Sequence, residues 1–149
     1  SAGGYLVSYV GAHGQPDTRV AAVVSFYGPH NWELRNEEEQ AGKIPGTVWR
    51  QVFGVPEGNS PEAIKRMREV SVTTYIKKGL PPFLLIHGTN DKQVAYEQSV
   101  KFQQQMKRAG NVCDLITVEG GEHGMGVITK FPDTQVKMIA WLRQTLGLR

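Results

Sequence analysis

The sequence predicts an α/β domain built on a parallel sheet of about three strands, and three observations carry that expectation. The wholly apolar run Phe83-Leu84-Leu85-Ile86 lies between Pro81-Pro82 and His87-Gly88, as a strand buried on both faces would. A helical segment from Tyr96 to Ala109, closed by Gly110, follows it, and a second strand-like run extends from Val112 to Val118. Strand, helix and strand within about thirty residues form a right-handed parallel crossover unit. Earlier in the chain the apolar run Val20 to Tyr27 ends at Gly28-Pro29 and supplies a further strand, also read as buried on both faces.

The other elements follow from local signals. Tyr5, Leu6, Tyr9 and Val10 form an i, i+1, i+4, i+5 stripe, which predicts a first helix stopping near Gly11 or Gly14. The turn Gln15-Pro16-Asp17 then leads into the strand. Residues 30–78 change character: Trp32, Trp49 and Phe53 stand among Glu37-Glu38-Glu39 and Lys43 with no sustained period, broken by Gly42, Pro45, Gly46 and Gly54. The Glu triplet reads as a solvated helix face. Ser60 before Pro61 is a cap and first-turn signal for a helix from Pro61 to Glu69. The segment Tyr96 to Ala109 turns Ser99, Phe102 and Met106 inward and Lys101, Gln104 and Lys107 outward. Asp114 and Thr117 put the run Val112 to Val118 near a sheet edge. A last helix starts about Pro132-Asp133 and passes through Ile139, Trp141, Leu142 and Leu146 to Gly147.

At 149 residues the chain holds one domain with a real core, and 40% hydrophobic with 21% charged residues is the balance of an ordinary soluble globular protein. The net charge of +3 is spread among acids, with no basic block interleaved with aromatics, which argues against a nucleic-acid partner. No apolar run reaches the roughly 18 residues of a membrane span, so no membrane partner is expected. Cys113, the single cysteine, excludes an internal disulfide and reads as a buried strand residue. No His, Cys or carboxylate set has metal-ligand spacing, so neither metal nor cofactor is assigned. No export signal is legible, and both a bacterial cytoplasmic and a secreted location stay open.

The chemistry follows from the crossover. Two parallel strands end at the same carboxyl edge of their sheet, where ligands bind in open α/β folds. The loop after the first carries Asp91 and the glycine-rich loop after the second carries His123. Taken singly, Asp91 is an ordinary turn residue and His123 an ordinary loop histidine. Together they are the acid and base that activate a hydroxyl. Ser1-Ala2-Gly3-Gly4 supplies the hydroxyl, matching the end of a G-x-S-x-G nucleophile elbow, and the chain order Ser1, Asp91, His123 is that of the α/β-hydrolases. His87, at a strand end, reads as a packed structural residue, and His13 and His30, beside glycine turns, as surface residues.

In the words SAGGYL, PPFLLIHGTNDKQV and GGEHG, in this order and across essentially the whole chain, the sequence resembles the carboxyl-terminal half of an α/β-hydrolase. Within that fold it is similar to the bacterial serine esterases of the acetylxylan/feruloyl-esterase-like kind. The resemblance implies a partial α/β-hydrolase fold with a lid-like insertion at about residues 30–78. It implies a catalytic triad of Ser1, Asp91 and His123, an oxyanion-hole donor from the Ala2 N–H, and acyl-enzyme hydrolysis of short-chain, acetyl-type esters, including those of carbohydrates. It also implies that Trp32, Trp49 and Phe53 line an acyl or sugar pocket, the alternative being that they pack the insertion onto the body. The sequence departs from the pattern in lacking the G-x before the serine, the strand feeding the elbow and the upstream His-Gly-Gly loop, and in having Val94-Ala95 where the family has Val-Pro. The sheet edge beside Val20 to Tyr27 is therefore expected to need a cover, either an amino-terminal half as a second chain or a second copy in a homodimer. Three rival readings stand beside the esterase: a peptidase of the same fold, an inert truncated sub-domain, and an amino-terminal-nucleophile hydrolase, which needs an antiparallel sandwich.

Overall fold

Three strands, β1 (Val23–Phe26), β2 (Phe83–Gly88) and β3 (Cys113–Val118), form one all-parallel sheet in the order β1-β2-β3. The structure is a computed structural model that describes residues 1–148. Register is tight: Val23 pairs with Phe83, and Phe83 with Cys113. Every residue of β2 is buried, which is why its sequence runs apolar without alternation. An all-parallel sheet also removes the amino-terminal-nucleophile reading.

Around the sheet lie α1 (Ala2–His13), α2 (Trp32–Gln40), α3 (Trp49–Phe53), α4 (Pro61–Val70), α5 (Glu97–Arg108), α6 (Gly126–Thr129) and α7 (Pro132–Leu146). Local chemistry sets several of their ends. Asn31 Oδ1 accepts the Leu34 N–H at 3.0 Å to start α2, Ser60 Oγ accepts the Ala63 N–H at 3.2 Å to start α4, and Gly147 closes α7 at φ 64°. Period-two alternation along β2 then sorts the core. Phe83 and Leu85 meet Tyr5, Trp32, Met67 and Phe102 on one face, and Leu84 and Ile86 meet Val118 and Val127 under α6 and α7 on the other. Cys113 opens β3 and is fully enclosed in the first of these clusters.

Four expectations are corrected. The first strand is shorter than Val20 to Tyr27 and closed on one face only: Val23 and Ser25 are buried, Val24 and Phe26 half-buried. The α1 stripe is half right, because Tyr5 is buried whereas Leu6 and Val10 stand out at 58% and 47% exposure. The Glu triplet is not a solvated face. Glu38 is buried against the Gln98 amide at 3.2 Å, and only Glu37 of the three is fully exposed. His30 is not at the surface but wholly buried, stacked on Phe102 at 4.2 Å.

Candidate active site

The site begins where β2 and β3 release their loops. Gly88 and Gly121 approach so closely that a Cβ on Gly88 would overlap the Gly121 carbonyl, and the Asn90 N–H donates to that carbonyl at 2.9 Å. Only a residue without a side chain permits this crossing. The contact brings the acid loop and the histidine loop together, and His123 Nδ1 lies 2.7 Å from Asp91 Oδ2.

Asp91 is saturated with donors. Oδ1 accepts the Gln93 and Val94 N–H groups at 2.8 and 2.9 Å, and Oδ2 receives His123 and, at 3.2 Å, His87 Nε2. Burial alone raises its pKa, but the hydrogen bonds from His123, His87, Val94 and Gln93 outweigh burial and hold the carboxyl well below the usual carboxylate range. An ionised carboxylate only accepts, so His123 Nδ1 carries the proton and Nε2 keeps a lone pair, the tautomer a general base needs. His87 is the packed residue the sequence indicated. Its Nε2–H is directed to the Val94 carbonyl at 2.9 Å as well as to Asp91, which leaves Nδ1 to accept from the Ser99 hydroxyl at 2.7 Å.

Tyr27 completes this corner, a role that no motif in the sequence announces. Its ring packs on the His123 imidazole at 4.7 Å between centroids, with its hydroxyl 3.6 Å from Met125 Sδ. It is the one non-glycine residue at positive φ (38°) among those described, a conformation that bulky side chains adopt only where surrounding structure imposes it.

Ser1 occupies the cap position of α1, where a serine ordinarily spends its hydroxyl on the helix. Here it makes no capping bond. Its carbonyl accepts the Tyr5 N–H at 2.9 Å, so the Ala2, Gly3 and Gly4 N–H groups lack intrahelical partners, at the positive end of the helix. Gly4 fixes the start of α1 against the end of β1. A Cβ on Gly28 would lie 2.7 Å from the Gly4 carbonyl carbon, and the Gly4 oxygen accepts from Ser8 Oγ at 2.7 Å and Ser25 Oγ at 2.9 Å. With both hydroxyl protons so used, His30 Nε2 donates to these serines, at 3.2 and 3.4 Å.

Ser1, Ala2 and His123 line one cavity of about 260 Å³. Trp32, Trp49 and Phe53 from the insertion supply apolar wall, and Arg35, Gln93 and Val94 line it as well. Every residue named from the sequence as catalytic or substrate-binding is thus at this cavity or bonded to it. No hydrogen bond joins Ser1 to His123 among the described residues. The aromatic residues both pack and line: Trp32 and Trp49 belong to the main core cluster, Phe53 packs against it, and all three line the cavity.

A parallel sheet with a serine at a helix start, an acid and a histidine in that chain order at its carboxyl edge is an α/β-hydrolase arrangement. The chain belongs to the prolyl oligopeptidase family, whose profile matches residues 1–149. It is 29% identical over 113 residues to the esterase LipC of Mycobacterium tuberculosis, covering 75% of this chain and 27% of LipC. Its fold superposes on a propionate-bound esterase of the planctomycete Thermogutta terrifontis with a TM-score of 0.69 and 24% identity, over 99% of this chain and 54% of that one. A truncated carbohydrate esterase from gut microbiota gives 0.72 at 22% identity, over 98% and 57%. The chain therefore spans about a quarter of the curated relative and about half of these esterase structures.

Proposed function

We propose that these residues carry the acyl-transfer machinery of a serine carboxylic-ester hydrolase. Ser1 is the nucleophile, His123 the general base, Asp91 the acid that fixes the imidazole, and the Ala2 N–H one donor to the oxyanion. The observation that carries this reading is the ionised Asp91 bonded to His123 Nδ1 beside a serine whose hydroxyl is unspent, both at one cavity. His123 Nε2 takes the Ser1 proton as Oγ attacks the ester carbonyl, the alkoxide leaves with that proton, and water repeats the sequence on the acyl-enzyme.

The cavity supports a short acyl group, since about 260 Å³ walled by Trp32, Trp49 and Phe53 accommodates a few carbons. A carbohydrate as the alcohol is the finer part of the proposal and rests on the sequence resemblance. The family name supports a peptidase as second reading, yet the one buried cation at the cavity, Arg35, already spends three of its five N–H donors on protein acceptors, which weighs against a role in holding a peptide carboxylate. We also propose that an amino-terminal portion of the same fold covers the outer edge of β1, where Leu6, Val7, Val10 and Val20 are exposed.

The test is made on the intact protein with acetyl and butyryl esters and a serine-reactive phosphonate. Labelling should fall on Ser1, and Ser1→Ala should lose on the order of 10⁶ in kcat. Unlabelled Ser1, or turnover that survives Ser1→Ala, refutes the reading; preferential cleavage of peptides moves it to the peptidase. Size measurement tests the cover, and a symmetric dimer joined through β1 would replace the amino-terminal portion with a second copy.

A further inference from the structure

The charged residue in the cavity wall reaches beyond the cavity. Arg35 is 3% exposed and spreads its guanidinium over three acceptors from three segments: Nε to Glu39 Oε1 at 2.7 Å, Nη1 to the Gln93 carbonyl at 2.6 Å, and Nη2 to the Pro45 carbonyl at 3.3 Å. On one side of it, the Glu39 carboxylate also accepts the Trp49 indole N–H, at 2.9 and 3.0 Å to its two oxygens. On the other, the peptide that begins with the Gln93 carbonyl ends with the Val94 N–H, and that N–H donates to Asp91 Oδ1 at 2.9 Å. A cation on the carbonyl of a peptide polarises its N–H into a stronger donor. An unbroken line of polar contacts therefore runs from the Trp49 wall through Glu39, Arg35 and the Gln93–Val94 peptide to Asp91 and His123.

We propose that Arg35 is a positioning residue that ties the acyl-side wall of the cavity to the acid of the triad, so that a group packed against Trp49 also settles the Asp91 loop. The inference rests on the triad reading above. An arginine is required because only a planar fork serves three acceptors in fixed directions, whereas a lysine ammonium keeps the charge beside Glu39 without that geometry. Asp91 has no other support that comes from the insertion: its remaining donors, Gln93 N–H, His87 and His123, lie on the β2 and β3 loops or at the end of β2.

The test uses the intact protein and two readouts, kcat on a short ester and the low-field proton resonance of His123 Nδ1–H, which needs no turnover. Arg35→Lys should keep the unfolding temperature within a few degrees, lower kcat about 10- to 100-fold at nearly unchanged KM, and shift or broaden that resonance. Trp49→Phe, which keeps the aromatic wall and removes the indole N–H, should act in the same direction more weakly. Its effect should not add to that of Arg35→Lys. An unmoved resonance with wild-type kcat in either variant overturns the inference. A wild-type protein that shows the resonance but neither labels at Ser1 nor turns over esters refutes the function instead, and the resonance in Arg35→Lys then decides the positioning role alone.

Discussion

The two corners of the candidate site are built to different standards. At the acid and base corner, Asp91 has four donors on its two oxygens, His123 is held by Asp91 and by the tilted ring of Tyr27, and two glycine backbones interlock beneath them. At the nucleophile corner, Gly4 is pinned by two serines and His30, but Ser1, Ala2 and Gly3 ahead of it make no side-chain bond, and a Cβ on Gly3 would meet nothing within 4 Å. Beside them the apolar faces of Leu6 and Val7 are open. The difference teaches which part of the candidate site these residues fix by themselves. The tautomer of His123 and the ionisation of Asp91 are determined locally, whereas no side-chain hydrogen bond among the described residues aims the Ser1 hydroxyl.

The sharpest way to break the comparison is Asp91→Asn. It should keep the fold and lose about 10⁴ in kcat through the wrong imidazole tautomer, as measured by steady-state ester hydrolysis. Near-normal turnover would mean that the acid corner is not the controlling one. Next in size is Gly88→Ala, whose new methyl cannot coexist with the Gly121 carbonyl. Denaturant unfolding should show a loss of about 3 kcal/mol, with reduced kcat because the His123 loop must shift.

A third test is by pH and concerns His30 under the nucleophile corner. Burial, and secondarily the nearby His87, push its imidazole down to about 3 from the ordinary 6.5, so the native state keeps it neutral where the unfolded chain takes up a proton. Its contribution is complete above the ordinary value and falls by up to about 1.4 kcal/mol per pH unit from there down to about 3. Thermal melts from pH 7 to 4 should show this slope, and His30→Gln should flatten it. Asp91 acts lower on the scale: the stability from its hydrogen bonds is complete above the ordinary carboxylate range and is lost as stronger acid protonates it. The smallest effect is expected of Gly3→Ala, which should leave stability unchanged or raise it by up to about 1 kcal/mol, since helix propensity favours alanine and no atom stands in the way. A loss as large as that of Gly88→Ala would erase the contrast between the corners.

The parallel sheet and the helices at Pro61–Val70, Glu97–Arg108 and Pro132–Leu146 were legible because each is written in local pattern, an apolar run, a cap or a glycine turn, whereas the short α6 was not foreseen and Ser1, Asp91 and His123 were singled out only by their order and spacing taken together. What escaped was produced by docking. Glu38, Arg35 and His30 are polar residues in a stretch without period, and their burial follows from docking: Glu38 and His30 meet Gln98 and Phe102, sixty or more positions away, and Arg35 meets the Gln93 carbonyl, 58 positions away. Tyr27 escaped for another reason. Its positive φ occurs beside the close approach of Gly4 and Gly28 and the contact with His123, and no residue type at position 27 announces it. In β1 and α1 the error ran the other way, since apolar residues suggested burial that these 148 described residues do not provide.

The enclosure of Cys113 has a chemical consequence for anyone handling the protein. It is the only cysteine in the sequence, it is 1% exposed, and burial pushes its thiol up to about 12. At neutral pH it is therefore a protonated sulfur behind packed side chains, unreactive toward maleimides and iodoacetamide. The folded chain is silent to thiol chemistry, and Ser1→Cys would supply its single addressable sulfur, whose alkylation rate tests whether His123 draws a proton from that position.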